Sequence, residues 1–477
     1  MRWELAAIAA SAGGRIVGDA AAASGGITGF AIDSRVLEAG TCFVALTADR
    51  DGHDFVGAAF SRGAVTALVA REVEGVRTAS GASAPMVVVD DPLRALGRLG
   101  AVARHRLGGV PLVAVAGSVG KTGTKDLTVA ALAAGRTVHG SIASLNNEAG
   151  VPLTLLAADD ALPPDVVVNE FGERKPGDLA YLCDIAAPTH AVITNVGLAH
   201  AEFLGGVEGV AREMQVVLDR LTSDGFAVVN DDDPASATFR SDARLLRVGT
   251  TAAADVHVDA VALDDHARVT ARLRTPWGAA PIHLELRGRH QATNAAMAVA
   301  VACGFGVPLA AAVEGVGSVV PDESRMRIRH LASGATVVDD SYNASPASTA
   351  AALEAFGHLA TAGRRIAVLG EMRELGAASG REHERVGELA VAAGVRELVV
   401  VGDVGEWIAA GAVRADPGIT VSVVSDAPAA ADLLHDLGPG DAVLLKASRA
   451  VGLERVASRL DAVAPVPTPD IGKEGRS

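Results

Sequence analysis

The segment VAVAGSVGKTGTKD, which begins at Val113, combines residue types that can bind the phosphates of a nucleotide. An apolar run ends at Gly117, and a helical-looking stretch follows the short loop. In such a loop, backbone N–H groups at the turn and at the helix start can donate to phosphate oxygens. The ammonium group of Lys121 can neutralise phosphate charge, and the hydroxyl group of Thr122 can bind magnesium. The residues expected to hold ATP or GTP are Gly117, Ser118, Val119, Gly120, Lys121, Thr122 and Gly123.

The match to the general phosphate-loop motif is imperfect, because Val115 stands where the motif begins with glycine. The alternative is an ordinary turn between a strand and a helix that happens to contain Gly-Lys-Thr. The apolar run before the loop and the helical pattern after it favour the phosphate-binding interpretation.

Two further apolar runs end in polar side chains that could share this site. Glu170 follows VVVN, and the run ITNVGLAHAE leads to His200 and Glu202. Open α/β sheets bind ligands at the carboxyl ends of their strands. Taken singly, a glutamate such as Glu170 is more often a solvated cap at the end of a strand than a metal ligand. His200 would be an unusual ligand, because magnesium prefers oxygen ligands. Their order after the phosphate loop nevertheless predicts a magnesium–nucleotide site.

Composition favours small-molecule partners over polymers or membranes. The chain of 477 residues has 42 Lys and Arg against 57 Asp and Glu, a net charge of -15, which does not favour nucleic acid or anionic lipid. Its three cysteines are far apart and form no Cys-x-x-Cys pair, which is typical of a reducing compartment. Because Glu4 interrupts the first apolar stretch, we expect no secretion signal and a cytoplasmic protein.

The pattern of apolar runs predicts an α/β protein with about three domains. The runs LVAVAG, DVVVNEFG, HAVITNVG and FAVVND alternate with helical segments, as in a parallel sheet with crossover helices, and the alternation restarts after VVPDESRMR. The uncharged stretch from Ala295 to Val313 predicts a buried helix, a turn and a second short helix rather than a membrane span. The expected domains are 1–108, 109–320 and 321–465, with 466–477 as a flexible tail.

Several motifs in order resemble the Mur ligases, the ATP-dependent amide-forming enzymes of peptidoglycan synthesis. They are AIDSR, TCFVAL, DGHDF, GSVGKT, SLNNEAGVPLTLL, NEFGERKPGD, TNVGLAH, DDSYNASPAS, VLGEMRELG and KASRAVGLERV. The resemblance spans nearly the whole chain. It implies an N-terminal UDP-substrate domain, a central P-loop ATPase domain with a parallel sheet, and a C-terminal Rossmann-like domain that closes over the nucleotide and binds the incoming amine.

The resemblance also implies roles for particular residues. The implied catalytic residues are Lys121, Glu170 and His200, and the implied magnesium ligands are Thr122, Glu170 and His200. The implied nucleotide contacts outside the phosphate loop are Asn294, Arg325 and Asp339. The implied substrate contacts are Asp33, Ser34, Arg35, Asn146, Asn147, Asn343 and Ser345.

Without the resemblance, most of these residues have simpler interpretations. The pair Asn146-Asn147 alone would predict a turn, and Asp339-Asp340 alone would predict a solvated strand end. The segment 33–35 would be a local ion pair of little energetic value. Lys446 and Arg449 would be surface charge, whereas Ser345 before Pro346 is a typical helix start on any interpretation.

Among the Mur ligases, the motifs are most similar to those of the members that join D-Ala-D-Ala to a UDP-muramoyl tripeptide. The implied reaction uses ATP and magnesium and proceeds through an acyl phosphate, with D-Ala-D-Ala or another amine as the second substrate. We expect a monomer. The alternatives are a divergent amide ligase of a specialised metabolite pathway and a catalytically weakened nucleotide-binding homologue.

The chain departs from the family pattern at two places. Met214 stands where the family carries a lysine whose carbamoylated amine supports a second magnesium, and Glu213 is adjacent. Because methionine makes no polar contact that could be lost, the sequence predicts that Met214→Lys raises activity or leaves it unchanged. The loop VVPDESRMR is two residues longer than its counterpart and lacks a glycine, which affects the placement of Arg325.

Overall fold

The computed structural model describes most of the chain, in the ranges 1–198, 201–321 and 324–461. The described residues form two compact units. The first unit comprises residues 1–196, 211–256 and 297–315. The second comprises residues 197–210, 257–296 and the described residues from 316 onward. The predicted domain boundaries at 108 and 320 stay predictions.

The first unit begins with a five-stranded sheet in the order β1-β5-β4-β3-β2, in which only β1 is antiparallel to its neighbour. The strands are β1 (Arg15–Val17), β2 (Gly29–Ala31), β3 (Thr41–Val44), β4 (Thr66–Val69) and β5 (Met86–Val88). The helices of this region are α1 (Leu5–Ala12), α2 (Val56–Ser61) and α3 (Pro92–Arg106). Asp91 caps α3 by accepting from the backbone N–H groups of Leu93 and Arg94.

A second sheet of the first unit contains the phosphate loop. Its parallel strands run in the order β7-β8-β6-β9-β10-β11. They are β6 (Leu112–Ala116), β7 (Val138–Gly140), β8 (Val166–Glu170), β9 (His190–Ile193), β10 (Phe226–Asn230) and β11 (Arg244–Gly249). The helices here are α4 (Lys121–Ala133), α5 (Gly150–Ala157) and α6 (Asp178–Ala186). The parallel sheet expected from the sequence is confirmed, with the direction of winding reversing at β6, where such sheets bind ligands.

The second unit contains a six-stranded sheet in the order β15-β16-β20-β17-β18-β19, in which β15 alone is antiparallel. Its strands are β15 (Arg327–His330), β16 (Thr336–Asp339), β17 (Arg365–Gly370), β18 (Glu397–Val401), β19 (Thr420–Val424) and β20 (Ala442–Lys446). Its helices are α11 (Pro346–His358), α12 (Ser379–Ala392), α13 (Gly405–Ala415), α14 (Ala427–Asp432) and α15 (Glu454–Asp461).

Alternate residues of β17 enter two separate cores, which explains the continuous apolar run of this strand. Ala367 and Leu369 pack in the cluster that includes residues of α11 and α12. Ile366 and Val368 pack in the cluster that includes residues of α14 and α15. Helices therefore cover both faces of the sheet, as in a Rossmann-like domain.

The remaining elements include an antiparallel ladder that the sequence did not predict. They are α7 (Ala201–Leu204), α8 (Val207–Asp219), β12 (Val256–Leu263), β13 (Arg268–Thr275), β14 (Gly278–Arg287), α9 (His290–Gly304) and α10 (Leu309–Gly317). Strands β12, β13 and β14 pair antiparallel. Helices α9 and α10 confirm the predicted helix, turn and helix. Within the described ranges, no helix has the length and apolar character to cross a bilayer.

All three cysteines are buried free thiols, as expected from their spacing. Cys42 lies in β3, Cys183 in α6 and Cys303 in α9. Burial raises the thiol pKa of Cys42 and of Cys183 to about 12, and that of Cys303 to about 11. The thiols therefore pack as small apolar side chains.

His190 opens β9 inside an aromatic cluster. Its ring centroid lies 4.4 Å from that of Phe226 and 4.6 Å from that of Phe305. Burial lowers the pKa of His190 to about 4. The folded protein therefore holds this imidazole neutral at pH values where an unfolded chain would protonate it.

We expect His190→Leu to reduce the loss of stability on mild acidification. Between pH 6.5 and about 4, the unfolded state binds a proton at His190 that the folded state does not, so stability falls as pH falls. This effect is worth up to about 1.4 kcal/mol per pH unit. Urea unfolding at pH 7 and pH 5 measures the difference between the wild type and the variant.

The matched control is His266→Leu, which changes an exposed histidine and should keep the wild-type pH dependence. Equal slopes for all three proteins would contradict a neutral, buried His190.

Candidate functional site

The phosphate loop turns sharply at two glycines. Gly117 has a φ of +133°, and Gly120, which precedes α4, has a φ of +80°. A Cβ atom at Gly117 would lie 2.1 Å from the Thr194 hydroxyl oxygen, so only glycine fits there. Lys121 is the first residue of α4, and the first N–H groups of a helix have no acceptor within the helix. The loop thus has the backbone form that binds phosphate.

The residues after β9 hold the loop in this shape. The Thr194 hydroxyl donates to the Val119 carbonyl at 2.7 Å. The Asn195 side chain binds both backbone groups of Val119, accepting from its N–H at 3.1 Å and donating to its carbonyl at 3.0 Å. Thr194 and Asn195 were not predicted as site residues, although both lie in the TNVGLAH motif.

Lys121 is oriented by contacts on both sides. Its ammonium group donates to the Gly117 carbonyl and lies 3.4 Å from a carboxylate oxygen of Glu173. The Glu173 side chain is fully buried and that of Lys121 nearly so. Glu173, in the NEFGE segment, was also not predicted as a site residue. The buried carboxylate and the Gly117 carbonyl therefore hold the ammonium group of Lys121 against the loop.

Glu170 ends β8 directly beside the strand that carries the loop, with Val115 opposite it in register. One of its carboxylate oxygens accepts from the Asn146 side chain at 2.8 Å. The other, Oε2, is buried without a hydrogen-bond partner among the described residues. An unsatisfied buried carboxylate oxygen is costly unless a cation or donor joins it.

Magnesium fits this donor set, because it prefers carboxylate and hydroxyl oxygens. Thr122, in the first turn of α4, is buried and would provide the hydroxyl group. The predicted third ligand, His200, lies outside the described residues. Within the described part of the chain, no group of three or more His, Cys, Asp or Glu side chains is arranged to hold a metal.

The two predicted substrate asparagines play different roles. Asn147 caps the segment leading into α5, with its side chain accepting from the N–H groups of Ala149 and Gly150. The turn interpretation is therefore right for Asn147. Asn146 instead holds Glu170, which the turn interpretation did not foresee.

Asp33, Ser34 and Arg35 form a compact turn in the first unit. Arg35 pairs with Asp33 at 2.7 Å, and its backbone N–H also donates to that carboxylate. These hydrogen bonds lower the Asp33 pKa to about 2. The carbonyl groups of Ser34 and Arg35 accept from Arg62. The local ion pair expected as the simpler interpretation is present, with the Arg35 side chain largely exposed.

Asp339 is buried, so the expectation of a solvated strand end is wrong for this residue. One of its carboxylate oxygens accepts from the backbone and hydroxyl groups of Ser341, at 3.1 and 2.6 Å. The other accepts from Ser324 at 3.4 Å and from Arg329 at 3.1 Å. Asp339 thus organises the loop after β16 in the described structure.

Lys446, expected to be surface charge, is also buried. Its ammonium group lies 2.6 Å from a carboxylate oxygen of Asp340 and donates to the Asn343 carbonyl at 2.8 Å. Burial raises the pKa of Asp340, and Lys446 acts in the opposite direction. Asn343 is exposed. Ser345 caps α11 in a reciprocal capping box with Ser348, as the Ser-Pro signal predicted.

The remaining predicted nucleotide contacts belong to the second unit. The Asn294 side chain is buried and donates to Gln291 at 3.2 Å. The guanidinium carbon of Arg325 lies 4.0 Å from the centroid of the Tyr342 ring. The structure therefore gathers Lys121, Thr122, Glu170 and Asn146 at one sheet edge of the first unit, and groups Arg325, Asp339, Asn343 and Ser345 around the loop after β16.

Met214 is completely buried in α8. The neighbouring Glu213 accepts from the Gly177 backbone N–H at 3.0 Å, in the loop before α6. Its other carboxylate oxygen is buried without a partner among the described residues. The structure therefore gives Met214 a packing role that the sequence did not anticipate.

Comparisons with known proteins agree with this geometry. The Mur ligase middle domain matches residues 115–302, and the Mur ligase glutamate ligase domain matches residues 324–449. A Mycobacterium tuberculosis protein named UDP-N-acetylmuramoyl-tripeptide--D-alanyl-D-alanine ligase is 38% identical, over 90% of this chain and 91% of its own. The crystal structure of MurF from Acinetobacter baumannii has a TM-score of 0.82 at 26% identity, covering 97% of this chain and 99% of its own.

A third similar protein was solved with a nucleotide. The MurF ligase from Thermotoga maritima, in complex with ADP, has a TM-score of 0.72 at 28% identity and covers 91% of this chain and 97% of its own. The chain belongs to the Mur ligase family of ATP-dependent ligases, as the motifs predicted. Within that family, its similarity extends over nearly its whole length to ligases that carry the MurF name.

We expect Gly117→Ala to weaken ATP binding at least about tenfold, because the new Cβ atom would force the loop away from Thr194. Titration with a fluorescent ATP analogue measures the affinity. Gly109→Ala is the matched control, since no atom lies within 4 Å of a Cβ built there. Unchanged affinity in Gly117→Ala would show that the loop adapts freely.

The effect of Met214→Lys on activity stays a prediction, but the burial of Met214 adds an expected effect on stability. An ammonium group at a fully buried position should lower the free energy of unfolding by at least about 2 kcal/mol, whereas Met214→Leu should cost less than about 1.5 kcal/mol. Urea unfolding compares the two variants. A Lys variant with wild-type stability would contradict the burial of this side chain and place it in a polar cleft.

Proposed function

We propose that this chain is a MurF-type ligase of peptidoglycan precursor synthesis, which joins D-Ala-D-Ala to a UDP-N-acetylmuramoyl tripeptide with hydrolysis of ATP. The names of its relatives support the substrates. The observation that carries the proposal is the buried oxygen of Glu170, on the strand beside the phosphate loop, which has no hydrogen-bond partner within the described part of the chain.

The proposed reaction has two steps. The tripeptide carboxylate attacks the γ-phosphorus of ATP, which gives an acyl phosphate and ADP. The dipeptide amine then attacks the acyl carbon, the amide forms, and inorganic phosphate and a proton leave. Phosphoryl transfer depends mainly on the alignment of the reactants and on charge neutralisation. The protein therefore does not need a side chain that forms a covalent intermediate.

Residues of the first unit would supply these two effects. Lys121, held by Gly117 and Glu173, would carry positive charge to the transferred phosphate. Thr122 and Glu170 would hold magnesium, with His200 as a predicted third ligand. Bound magnesium would neutralise charge on the phosphate oxygens during transfer. Asn146 would orient Glu170 through its hydrogen bond.

Other assignments belong to the same proposal. Asn294, Arg325 and Asp339 are proposed to contact the nucleotide. Asp33, Ser34 and Arg35 are proposed for the UDP end of the substrate, where the exposed guanidinium of Arg35, held by Asp33, could meet an anion. Asn147, Asn343 and Ser345 stay predictions for the remaining substrate contacts.

A second candidate is a divergent amide ligase acting on a different amine. The observation that favours it is Met214, which is buried where the family resemblance implies a modified lysine. Both candidates need ATP and the same phosphate loop. They differ in the amine and carboxylate that support phosphate release.

We expect D-Ala-D-Ala to stimulate ATP-dependent phosphate release only when UDP-muramoyl tripeptide is present. Lys121→Met should lower this rate by two to three orders of magnitude, roughly the cost of removing one donor to a developing charge. Arg244→Met, a change at an exposed arginine, is the control and should retain the wild-type rate.

Phosphate release with other amines but not with D-Ala-D-Ala would favour the second candidate. Release from neither set, with ATP binding intact, would indicate a nucleotide-binding homologue without ligase activity. A Lys121→Met variant as active as the wild type would contradict the role proposed for the loop.

A further inference from the structure

Helix α4 contains a second lysine that the proposed reaction does not use. Lys125 lies three residues after Thr122 and four after Lys121, so it shares one face of the helix with both. Its side chain is only 4% exposed. A lysine is seldom buried so deeply, because desolvation of an ammonium group is costly unless close polar partners offset it. The partners of Lys125 therefore indicate what its burial achieves.

The ammonium group of Lys125 joins α4 to the chain that follows β7. It pairs with Asp126, its neighbour in the helix, and donates to the Ser141 carbonyl at 3.0 Å. Asp126 is partly exposed, so pairing with it does not require a buried ammonium group. Ser141 is buried and directly follows β7, so the contact with its carbonyl does require one. The burial of Lys125 therefore serves the contact with Ser141.

Ser141 in turn holds the backbone of Glu170. The Ser141 hydroxyl oxygen accepts from the Glu170 backbone N–H at 3.2 Å. The backbone N–H of Ser141 donates to the Val168 carbonyl at 3.0 Å, which extends the pairing of β7 with β8 by one residue. The position of the Glu170 backbone thus depends on Ser141, and the position of Ser141 depends on Lys125.

The segment that Ser141 begins, residues 141–147, also holds the Glu170 side chain. Asn146 donates to one carboxylate oxygen of Glu170 at 2.8 Å. The Asn146 carbonyl accepts from the Gly172 backbone N–H at 2.7 Å, just beyond the end of β8. Segment 141–147 is therefore bound to the end of β8 at two places, and Lys125 ties the start of this segment to α4.

This arrangement connects two groups that we propose as ligands of one magnesium ion. Thr122 belongs to α4 and Glu170 ends β8, so the distance between their oxygens depends on how the helix and the strand are held together. Magnesium requires nearly ideal octahedral geometry, with oxygen ligands at about 2.0–2.1 Å. Residues that hold metal ligands in place therefore affect metal affinity without touching the metal.

We propose that Lys125 is a positioning residue of the magnesium–nucleotide site, which through Ser141 holds Glu170 at the distance from Thr122 that the metal requires. Removal of its ammonium group should then reduce what magnesium adds to nucleotide binding. It should not disturb the phosphate loop, which residues after β9 hold from another side. This inference rests on the proposed function, because that proposal assigns Thr122 and Glu170 to magnesium.

The test measures the contribution of magnesium to nucleotide affinity in the full-length protein, without turnover. A nonhydrolysable ATP analogue is titrated calorimetrically in EDTA and in excess magnesium, and the ratio of the two affinities is the metal contribution. Lys125→Met should lower this ratio about 10- to 100-fold, the usual loss when a residue that holds a metal ligand is changed. The affinity in EDTA should stay that of the wild type.

Ser141→Ala is a second variant, which changes no charge and decides the question if Lys125→Met does not fold. It removes the oxygen that accepts from the Glu170 backbone, so it should lower the same ratio. Because both changes interrupt one path, the double variant should lose little more than either single variant. Thr128→Val is the matched control on α4, since it removes a buried hydrogen bond to the Thr124 carbonyl and should keep the wild-type ratio.

Three results would overturn the inference. The first is an unchanged ratio in folded Lys125→Met or in Ser141→Ala. The second is a loss of affinity in EDTA that occurs in Lys125→Met but not in Ser141→Ala, which would assign the ammonium group directly to the phosphates. The third is a double variant whose loss is the product of the two single losses, since independent effects exclude a shared path.

Glu170→Gln separates this inference from the proposed function. If Glu170→Gln loses the metal contribution and Lys125→Met keeps it, the magnesium site stands and the role of Lys125 is wrong. If Glu170→Gln keeps the metal contribution, the assignment of Glu170 to magnesium is wrong and the inference fails with it. Loss in both variants would support the role of Lys125 even if the protein formed no amide from the proposed substrates.

Discussion

The close approach between Gly117 and Thr194 is the constraint on which the phosphate site depends. The backbone turns at Gly117 with a φ of +133°. This turn brings the chain after β6 into close contact with the residues after β9. That proximity allows Asn195 to bind both backbone groups of Val119, and it directs the start of α4 at the ligand edge. The roles proposed for Lys121 and Glu170 depend on this turn, because it fixes where a phosphate would lie.

Both sheet edges use buried ionic groups to orient the loops that follow their strands. In the first unit, Glu173 supports Lys121. In the second, Asp340 supports Lys446 beneath the loop that carries Tyr342. Buried ion pairs add little net stability, because desolvation offsets their attraction, but they penalise alternative loop positions that would separate the charges. We infer that precision of placement, rather than stability, explains these pairs.

Features determined by neighbouring residues were predictable from the sequence, and those determined by distant ones were not. The phosphate loop, the Ser345 cap and the break between α9 and α10 follow from local residue types, and the structure confirms them. The burial of Asp339 and Lys446 depends on partners contributed by other strands. The same holds for Asn195, whose contact with Val119 spans 76 residues. Family motifs contained both sets but did not reveal which side chains face inward.

The three buried cysteines allow local unfolding of the protein to be measured without an added label. Because Cys42, Cys183 and Cys303 are buried and have raised pKa values, a thiol-specific reagent can modify each only after its surroundings separate. One thiol lies in the N-terminal sheet, one in α6 and one in α9. Mass spectrometry of the modified peptides would therefore time the exposure of three distinct regions without any engineered label.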